Sequence, residues 1–427
     1  MISQRIEKSS FYQQHPSIFF ILKWLIIATL VGLAVGSASA FFLTSLHWAE
    51  NLRESNRWII WLLPLAGMAV GMLYHYFGKN SDAGNNLLIE TTMHPTGPRI
   101  PFRMAPLVLF GTIATHLFGG SAGREGTALQ MAGAISDQLT RPLKLNHSDR
   151  KLLIIAAIAA GFGSVFGTPL AGAIFSLEVI VIGKMKYDAI FPAFLAAIIA
   201  DHVTRVWGVG HTLFQQVAAP EIDTMNIIYS ILAGIAFGLV AAVFSKLNHT
   251  MSFLFKRKVK YPPLRPFIGG LMIAIAVFAM GSTRYIGLGV PVIVEAFDQQ
   301  LPFYDFAIKI LFTTLTLGAG FKGGEVTPLF FIGATLGNAL VWIIPLPMSL
   351  LAAMGFVAVF AGATNTPLAC SVMAFELFGI ESGIYVAIAC VVAYLMSGNT
   401  SIYNGQFIGQ PKHVSFGKYA GKRIKEI

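Results

Sequence analysis

The sequence predicts an all-α polytopic membrane protein, and three observations lead to this prediction. Of the 427 residues, 55% are hydrophobic and only 12% are charged, whereas soluble domains carry about 25% charged residues. Apolar segments recur along the whole chain, and glycine or proline interrupts several of them. Two pairs of short motifs repeat at a nearly constant spacing. Together these features indicate a membrane protein with two related halves.

The composition excludes several functional classes. Twenty acidic residues cannot cover the surface of a soluble globule of this length, so an ordinary cytosolic enzyme is excluded. The net charge of +10 comes from basic residues that lie between apolar segments, which is typical of cytoplasmic loops and gives no reason to expect a nucleic-acid partner. The sequence has no His-Glu-x-x-His motif, no P-loop and no Cys/His cluster, so we expect no metal and no cofactor.

Many of the apolar segments are too short for a simple membrane crossing, which needs about 20 residues. Short, broken segments are tolerated at membrane depth only where the backbone is buried in protein or lines a wet cavity. This pattern indicates a transporter or channel. The segments are 17–46, 58–77, 104–118, 127–139, 152–166, 169–183, 189–207, 225–254, 266–281, 303–318, 327–343, 348–361, 368–380 and 383–396.

The basic residues also predict the orientation. Arg5, Lys8 and Lys23 precede or open the first apolar segment, which is either a secretory signal or an uncleaved first helix. Because the segment continues to Leu46, we expect an uncleaved helix and place both termini in the cytoplasm. The predicted parts are a cytoplasmic segment 1–16, a first repeat 17–207, an extracytoplasmic linker 208–224, a second repeat 225–404 and a basic cytoplasmic tail 405–427.

The internal repeat is carried by two motif pairs. Gly-Arg-Glu-Gly-Thr at 123–127 corresponds to Gly-Gly-Glu-Val-Thr at 323–327, and Thr-Pro-Leu-Ala at 168–171 recurs at 366–369. Internal duplication with glycine-broken helices at matching positions is typical of transporters whose site lies between the repeats. The spacing alone leaves open whether the two repeats are inverted.

The strongest candidate for function is Glu125. We expect a helix to begin near it, with free N–H groups and a dipole that create an anion site inside the membrane. Ionised Glu125 would occupy that site and protonated Glu125 would leave it, which makes a proton-linked gate. The alternative is a glutamate that only caps its own helix, but an intramembrane ionisable residue favours a function. The other predicted anion-site residues of this motif are Gly123, Arg124, Gly126 and Thr127.

Glu325 is the matching acid in the second half. Pro328 suits the first turn of a helix, so a second helix N-terminus would point at the same centre, with Val326 and Thr327 at the anion site. Two carboxyls near one anion would shift each other's proton affinity and could pass a proton between them. The alternative is an acid that caps its helix through local amides. Lys322 either attracts anions at the entrance or only snorkels.

Three further residues are weaker candidates. After Gly84, either Asn85 or Asn86 can cap a helix or donate amide hydrogens to an anion. Tyr403 follows the last full span, and its phenol is a good donor to an anion. By position alone, Tyr403 is more simply interpreted as an aromatic residue of the membrane interface.

Two more glutamates hold matching positions in the repeats. Glu178 and Glu376 each lie ten residues after the threonine of a Thr-Pro-Leu-Ala motif, deep in an apolar segment. This symmetry indicates a structural role, such as capping a neighbouring helix or anchoring an interface. We assign neither residue to transport.

Taken together, these motifs resemble those of the CLC family of chloride channels and anion/proton antiporters. Residues 123–126 resemble that family's gating-glutamate motif, and Gly-Thr-Pro-Leu-Ala-Gly at 167–172 resembles its conserved turn before a helix. The resemblance extends from about residue 20 to Tyr403. It implies a CLC-type fold with two inverted structural repeats and many short, broken, tilted helices, a homodimer with one independent pore per subunit, and no cofactor.

The sequence departs from the usual family pattern in three places. Residues 84–88 read Gly-Asn-Asn-Leu-Leu, where the family usually has Gly-Ser-Gly-Ile-Pro with a serine that coordinates chloride. Residues 324–328 read Gly-Glu-Val-Thr-Pro in place of Gly-x-Phe-x-Pro. Val179 stands where many exchangers have an internal proton-transfer glutamate. All three departures are similar to the fluoride-selective bacterial branch of the family.

That branch implies a fluoride/proton antiporter of the bacterial inner membrane that exports fluoride, driven by inward proton movement. Fluoride is strongly hydrated, so a site that replaces its water needs strong donors such as amide N–H and hydroxyl groups. Glu125 would be the gate and proton carrier, Glu325 with Thr327 the second proton/fluoride group, and Asn85 and Tyr403 would line the central site. The alternatives are a chloride/proton exchanger or chloride channel on the same fold and, more remotely, an intramembrane enzyme or a binding scaffold.

Overall fold

Sixteen α-helices form almost all of the regular structure in residues 16–427, the part of the chain that this computed structural model describes. Arg5 and Lys8 of the predicted N-terminal segment lie outside the described residues. The helices are α1 Pro16–Ser55, α2 Leu63–Phe77, α3 Asn85–Met93, α4 Met104–Leu117, α5 Glu125–Ser136, α6 His147–Phe166, α7 Pro169–Glu178, α8 Ile190–Val206, α9 Thr224–Lys258, α10 Leu264–Met280, α11 Val290–Asp298, α12 Asp305–Gly318, α13 Val326–Leu340, α14 Met348–Thr364, α15 Pro367–Phe378 and α16 Gly383–Met396.

Short elements complete the described fold. Two strands, β1 (Val181–Ile182) and β2 (Phe407–Ile408), pair in parallel and join the segment after α7 to the C-terminal tail. The 3-10 turns are Arg57–Leu62, Lys79–Ala83, Asp137–Thr140, Tyr187–Ala189, Val414–Tyr419 and Ile424–Glu426.

The helices confirm the predicted pattern of long and short apolar segments. All fourteen segments overlap a helix, and the two helices outside them, α3 and α11, have nine residues each. Within the described residues, four helical segments are long and apolar enough to cross a membrane. They are Ser17–Ser55, Arg57–Phe77, Tyr187–Val206 and Thr224–Lys258. The other helices have 17 residues or fewer, except α6 with 20. Helix α14 is buried on all sides from Leu350 to Thr364.

The repeated Thr-Pro motif forms the same helix–turn–helix in both halves. In the first, α6 ends at Gly167 in the left-handed region (φ 72°) and Pro169 opens α7. In the second, α14 ends at Asn365 (φ 62°) and Pro367 opens α15. A left-handed residue terminates each helix, and a proline without an N–H suits the first position of the next. The sequence repeat is therefore a structural repeat.

Glu178 and Glu376 connect the two halves by capping each other's helices. The carboxylate of Glu178 accepts hydrogen bonds from the N–H groups of Leu368 (3.2 Å) and Ala369 (2.9 Å) at the start of α15. The carboxylate of Glu376 accepts from Leu170 (3.0 Å) and Ala171 (2.7 Å) at the start of α7. The capping of a neighbouring helix predicted for these acids is confirmed, and it is reciprocal between the repeats.

Replacing Glu178 with glutamine is expected to destabilise the protein by about 1–2 kcal/mol, because one buried N–H of α15 loses its acceptor. The matched variant Glu376→Gln should cost less, because its hydrogen bonds to Leu170 and Ala171 are exposed and half-buried. Those of Glu178 to Leu368 and Ala369 are half-buried and buried, so only at Glu376 can water readily replace the lost partner. Thermal unfolding in detergent measures both variants. Equal losses for the two substitutions would contradict this explanation.

Candidate functional site

The site forms where the N-terminal ends of α5 and α13 meet. Gly123 and Gly324 exchange two backbone hydrogen bonds in an antiparallel bridge, with N···O distances of 2.6 and 2.7 Å. Gly323 adopts φ 152°, and a Cβ atom on Gly126 would lie 3.0 Å from the Cα atom of Gly324. Glycine therefore allows two helix starts from different repeats to approach until their free N–H groups share one region.

Glu125 reaches across this junction to the opposite helix. Its Oε2 atom accepts hydrogen bonds from the N–H groups of Thr327 and Arg124, both at 3.1 Å, and its Oε1 atom accepts from the Thr327 hydroxyl. The Arg124 guanidinium lies 3.7 Å from Oε1, and Glu125 is completely buried. Because Thr327 belongs to α13, the carboxylate does more than cap its own helix. It occupies a cluster of donors that suits an anion.

Not every predicted residue of these motifs faces the carboxylate. The hydroxyl of Thr127 is hydrogen-bonded to that of Thr112 at 2.6 Å, so it has a protein partner. Val326 is completely buried at the start of α13 and contributes no side-chain donor. Thr327 is therefore hydrogen-bonded to Glu125, whereas the hydroxyl of its repeat mate Thr127 is bonded to Thr112. Thr112 carried no motif signal in the sequence.

Glu325 lies in a different setting. It is the residue that precedes α13, but its side chain makes no capping hydrogen bond, so the interpretation as a helix cap is wrong. Glu325 instead lines a cavity of about 240 Å³. Gly84, Asn85, Asn86, Lys322, Tyr403 and Asn404 also line this cavity. The second carboxyl therefore faces open space while Glu125 is enclosed by protein donors.

The two asparagines have separate roles in the structure. Gly84, with φ 59°, precedes α3, and neither asparagine makes a side-chain cap at its start. The side-chain oxygen of Asn86 accepts the N–H of Gly405 at 2.8 Å. The side-chain oxygen of Asn85 is buried and has no hydrogen-bond partner among the described residues. The capping interpretation is therefore wrong for both, and Asn85 is left with unused hydrogen-bonding capacity at the cavity.

Tyr403 is only 3% exposed and lines the same cavity as Asn85 and Glu325. Its interpretation as an interfacial aromatic residue is wrong, because such a residue needs contact with the membrane surface. Gln406, three residues later, is completely buried and makes four side-chain hydrogen bonds around this loop. No sequence motif singled out Gln406.

Lys322 also lines this cavity. Its ammonium is 2.6 Å from a carboxylate oxygen of Asp82 and 3.9 Å from the ring centroid of Tyr74. The Lys322 charge holds the pKa of Asp82, in the turn between α2 and α3, below its usual value. Positive charge is thus anchored beside the acid-lined cavity by an ion pair and an aromatic ring.

The described residues contain no group of three or more His, Cys, Asp or Glu side chains that could hold a metal ion. The site itself presents carboxyl, hydroxyl, amide and ammonium groups. Such groups bind anions and carry protons.

Comparisons with known proteins agree with this geometry. A family model described as voltage gated chloride channel matches residues 66–398. A chloride/fluoride channel protein of Pseudomonas syringae pv. tomato is 53% identical over 400 residues, which cover 92% of this chain and 88% of that protein. The crystal structure of a CLC-type fluoride/proton antiporter matches with a TM-score of 0.88 and 35% identity, over 91% of this chain and 98% of that chain.

A more distant structure shares the fold alone. The crystal structure of a slow cyanobacterial Cl⁻/H⁺ antiporter is 20% identical and gives a TM-score of 0.75, over 88% of this chain and 94% of that chain. With the helix pattern and the meeting of Glu125 with Thr327 across the repeats, these matches confirm both the predicted family and the predicted all-α fold. The chain belongs to the CLC family of voltage gated chloride channel proteins.

Proposed function

We propose that this CLC protein is a fluoride/proton antiporter that exports fluoride from the cytoplasm and is driven by inward proton movement. The observation that carries the proposal is the position of the Glu125 carboxylate on the N–H and hydroxyl of Thr327. A negatively charged side chain that fills an anion site couples the occupancy of that site to its own protonation.

Glu125 is the gate in this mechanism. Fluoride is a compact acceptor that suits the same donors as the carboxylate, so the two compete for the Thr327 site. When Glu125 takes up a proton, its carboxyl loses the negative charge that strengthens its hydrogen bonds to Thr327. It then leaves these donors, and fluoride takes its place. When fluoride has left, the ionised carboxylate returns. Because fluoride and the ionised carboxylate alternate at the same donors, the movement of fluoride is linked to the uptake and release of the Glu125 proton.

Glu325 is the second proton-linked acid. It faces the cavity that Lys322 and Tyr403 also line, whereas Glu125 is enclosed. In many exchangers of the family an internal glutamate follows the position of Glu178, and here that residue is Val179, which is buried. Glu325 replaces the missing acid, and it exchanges protons between the cavity and the Glu125 gate.

Three features support fluoride as the anion. The site offers hydroxyl and amide donors from Thr327, Asn85 and Tyr403, which suit a small, strongly hydrated anion. The sequence departs from the usual chloride pattern at residues 84–88 and 324–328. The protein in the crystal structure of a CLC-type fluoride/proton antiporter is 35% identical to this chain. The proposed central site comprises Asn85 and Tyr403 together with the Thr327 donors.

We further propose the setting in which the protein acts. It is a homodimer in a bacterial inner membrane, and both termini and the tail 405–427 are cytoplasmic. The two repeats, 17–207 and 225–404, are joined by the extracytoplasmic linker 208–224. The positive residues near Lys322 then face the cytoplasm, from which fluoride is collected.

Purified protein in vesicles loaded with fluoride is expected to release fluoride and take up protons, at a rate at least about tenfold above vesicles loaded with chloride. A tenfold preference corresponds to about 1.4 kcal/mol of selectivity. Ion-selective electrodes and a pH probe record both fluxes. Equal chloride release with proton uptake would identify a chloride/proton exchanger, and chloride release without proton movement would identify a channel. The absence of both fluoride release and chloride release would contradict the assignment as a transporter.

A further inference from the structure

Tyr403 lies in a loop, residues 401–406, that has no regular secondary structure to hold it. The loop is nevertheless buried, and Ser401 and Gln406 have no exposed surface. A phenol on such a loop reaches a fixed place only if other groups fix the backbone on both sides of it. The hydrogen bonds around Tyr403 therefore matter for the geometry of the central site.

Gln406 holds the loop from one side. Its side-chain nitrogen donates to the carbonyl oxygens of Val179 and Thr364, both at 2.7 Å. Its side-chain oxygen accepts from Ser401 at 2.6 Å and from Asn365 at 3.1 Å. Val179 follows α7 in the first repeat and Thr364 ends α14 in the second. One buried amide thus ties the loop to both repeats and uses its full hydrogen-bonding capacity.

Asn86 holds the loop from the other side. Its side-chain oxygen accepts the N–H of Gly405 at 2.8 Å, and Gly405 lies two residues after Tyr403. Asn86 is in the first turn of α3, directly after Asn85. The same helix start therefore presents Asn85 to the cavity and clamps the loop that carries Tyr403.

The C-terminal tail closes the arrangement. Backbone N–H groups of Ile424 and Lys425 donate to the carbonyl oxygens of Gln406 (3.0 Å) and Asn404 (3.2 Å). The strand β2 pairs with β1 next to this point. These backbone bonds restrain the loop at Asn404 and Gln406, which follow Tyr403 in the chain.

We propose that Asn86 and Gln406 are positioning residues that fix the Tyr403 phenol against the central anion site. Asn86 acts through Gly405, and it is not itself an anion ligand, in contrast to its assignment from sequence. The inference rests on the proposed function, because it assumes that Tyr403 binds the transported anion. Behind the anion site, hydrogen bonds from α3, from both repeats and from the tail thus hold the loop that carries the Tyr403 hydroxyl.

A double-mutant cycle in vesicles tests the inference. Asn86→Ala is expected to raise the half-saturating fluoride concentration about tenfold, the size expected for the loss of one well-placed hydrogen bond, with maximal turnover within about twofold of wild type. Tyr403→Phe should raise it by a similar factor. The double variant should match Tyr403→Phe alone, because Asn86 then has no hydroxyl left to position. Gln406→Met should also raise the half-saturating fluoride concentration. If Gln406→Met does not fold, Asn86→Ala still tests the inference.

Ser371→Ala serves as the matched control. It removes one side-chain-to-backbone hydrogen bond of 2.8 Å, made to Pro367 within α15, and should leave the half-saturating concentration unchanged. Additive effects of Asn86→Ala and Tyr403→Phe would show that Asn86 binds the anion directly and would overturn the inference. An unchanged half-saturating concentration in Asn86→Ala would overturn it as well. If the wild-type protein transports no fluoride in vesicles, the proposed function itself is contradicted. A failure of the proposed function is therefore distinguishable from a failure of this inference.

Discussion

Replacing Glu125 with glutamine is expected to lower coupled proton movement by about 100-fold or more, to the level of vesicles without protein. A glutamine amide carries no exchangeable acidic proton. It also keeps only one acceptor oxygen for the Thr327 N–H, the Thr327 hydroxyl and the Arg124 N–H, which now share two carboxylate oxygens. Simultaneous recording of fluoride release and pH in vesicles measures the ratio of the two fluxes.

Glu376→Gln is the matched control for this experiment. It makes the same substitution at a glutamate that also accepts two backbone N–H groups, here both from a helix of the other repeat, but Glu376 does not line the cavity. It should retain the wild-type ratio of fluoride to protons. Proton movement that persists in Glu125→Gln would contradict the gating role, whatever the remaining fluoride flux.

The sequence predicted those features of the fold that depend on local signals. The starts of α5 and α13 follow from glycines and a proline placed around Glu125 and Glu325, and the two Thr-Pro turns follow from the repeat. Such signals act within one turn of a helix, so they can be identified in a single sequence. The exchange of caps by Glu178 and Glu376 could be anticipated only because both occur at matching repeat positions.

The contacts that the sequence did not reveal join distant segments of the chain. Asn86 meets Gly405 across 319 positions of the chain, and Gln406 meets Val179 across 227. Thr127 bonds with Thr112 on the preceding helix instead of facing Glu125. A polar residue beside a helix start has several possible partners, and only packing decides among them. Position along the chain alone favours the membrane interface for Tyr403 for the same reason, since its burial depends on helices from both repeats.

Replacing Glu325 with glutamine is expected to uncouple the transporter in a different way from the Glu125 variant. Glu325 makes no capping hydrogen bond, so its carboxylate contributes little to holding α13, and the variant should fold and retain the Glu125 gate. It loses the acid that faces the cavity beside Tyr403 and Lys322. Fluoride should still bind and cross, while protons reach Glu125 at least about tenfold more slowly.

The number of protons moved per fluoride should therefore fall about tenfold in Glu325→Gln while fluoride release continues. The same two-electrode vesicle experiment measures this ratio. The two variants differ in the step of transport that they retain. Glu125→Gln removes the group that competes with fluoride for Thr327. Glu325→Gln leaves that competition intact and removes only the supply of protons to Glu125. An unchanged proton-to-fluoride ratio in Glu325→Gln would mean that protons reach Glu125 by another path, and that Glu325 serves only the charge of the cavity.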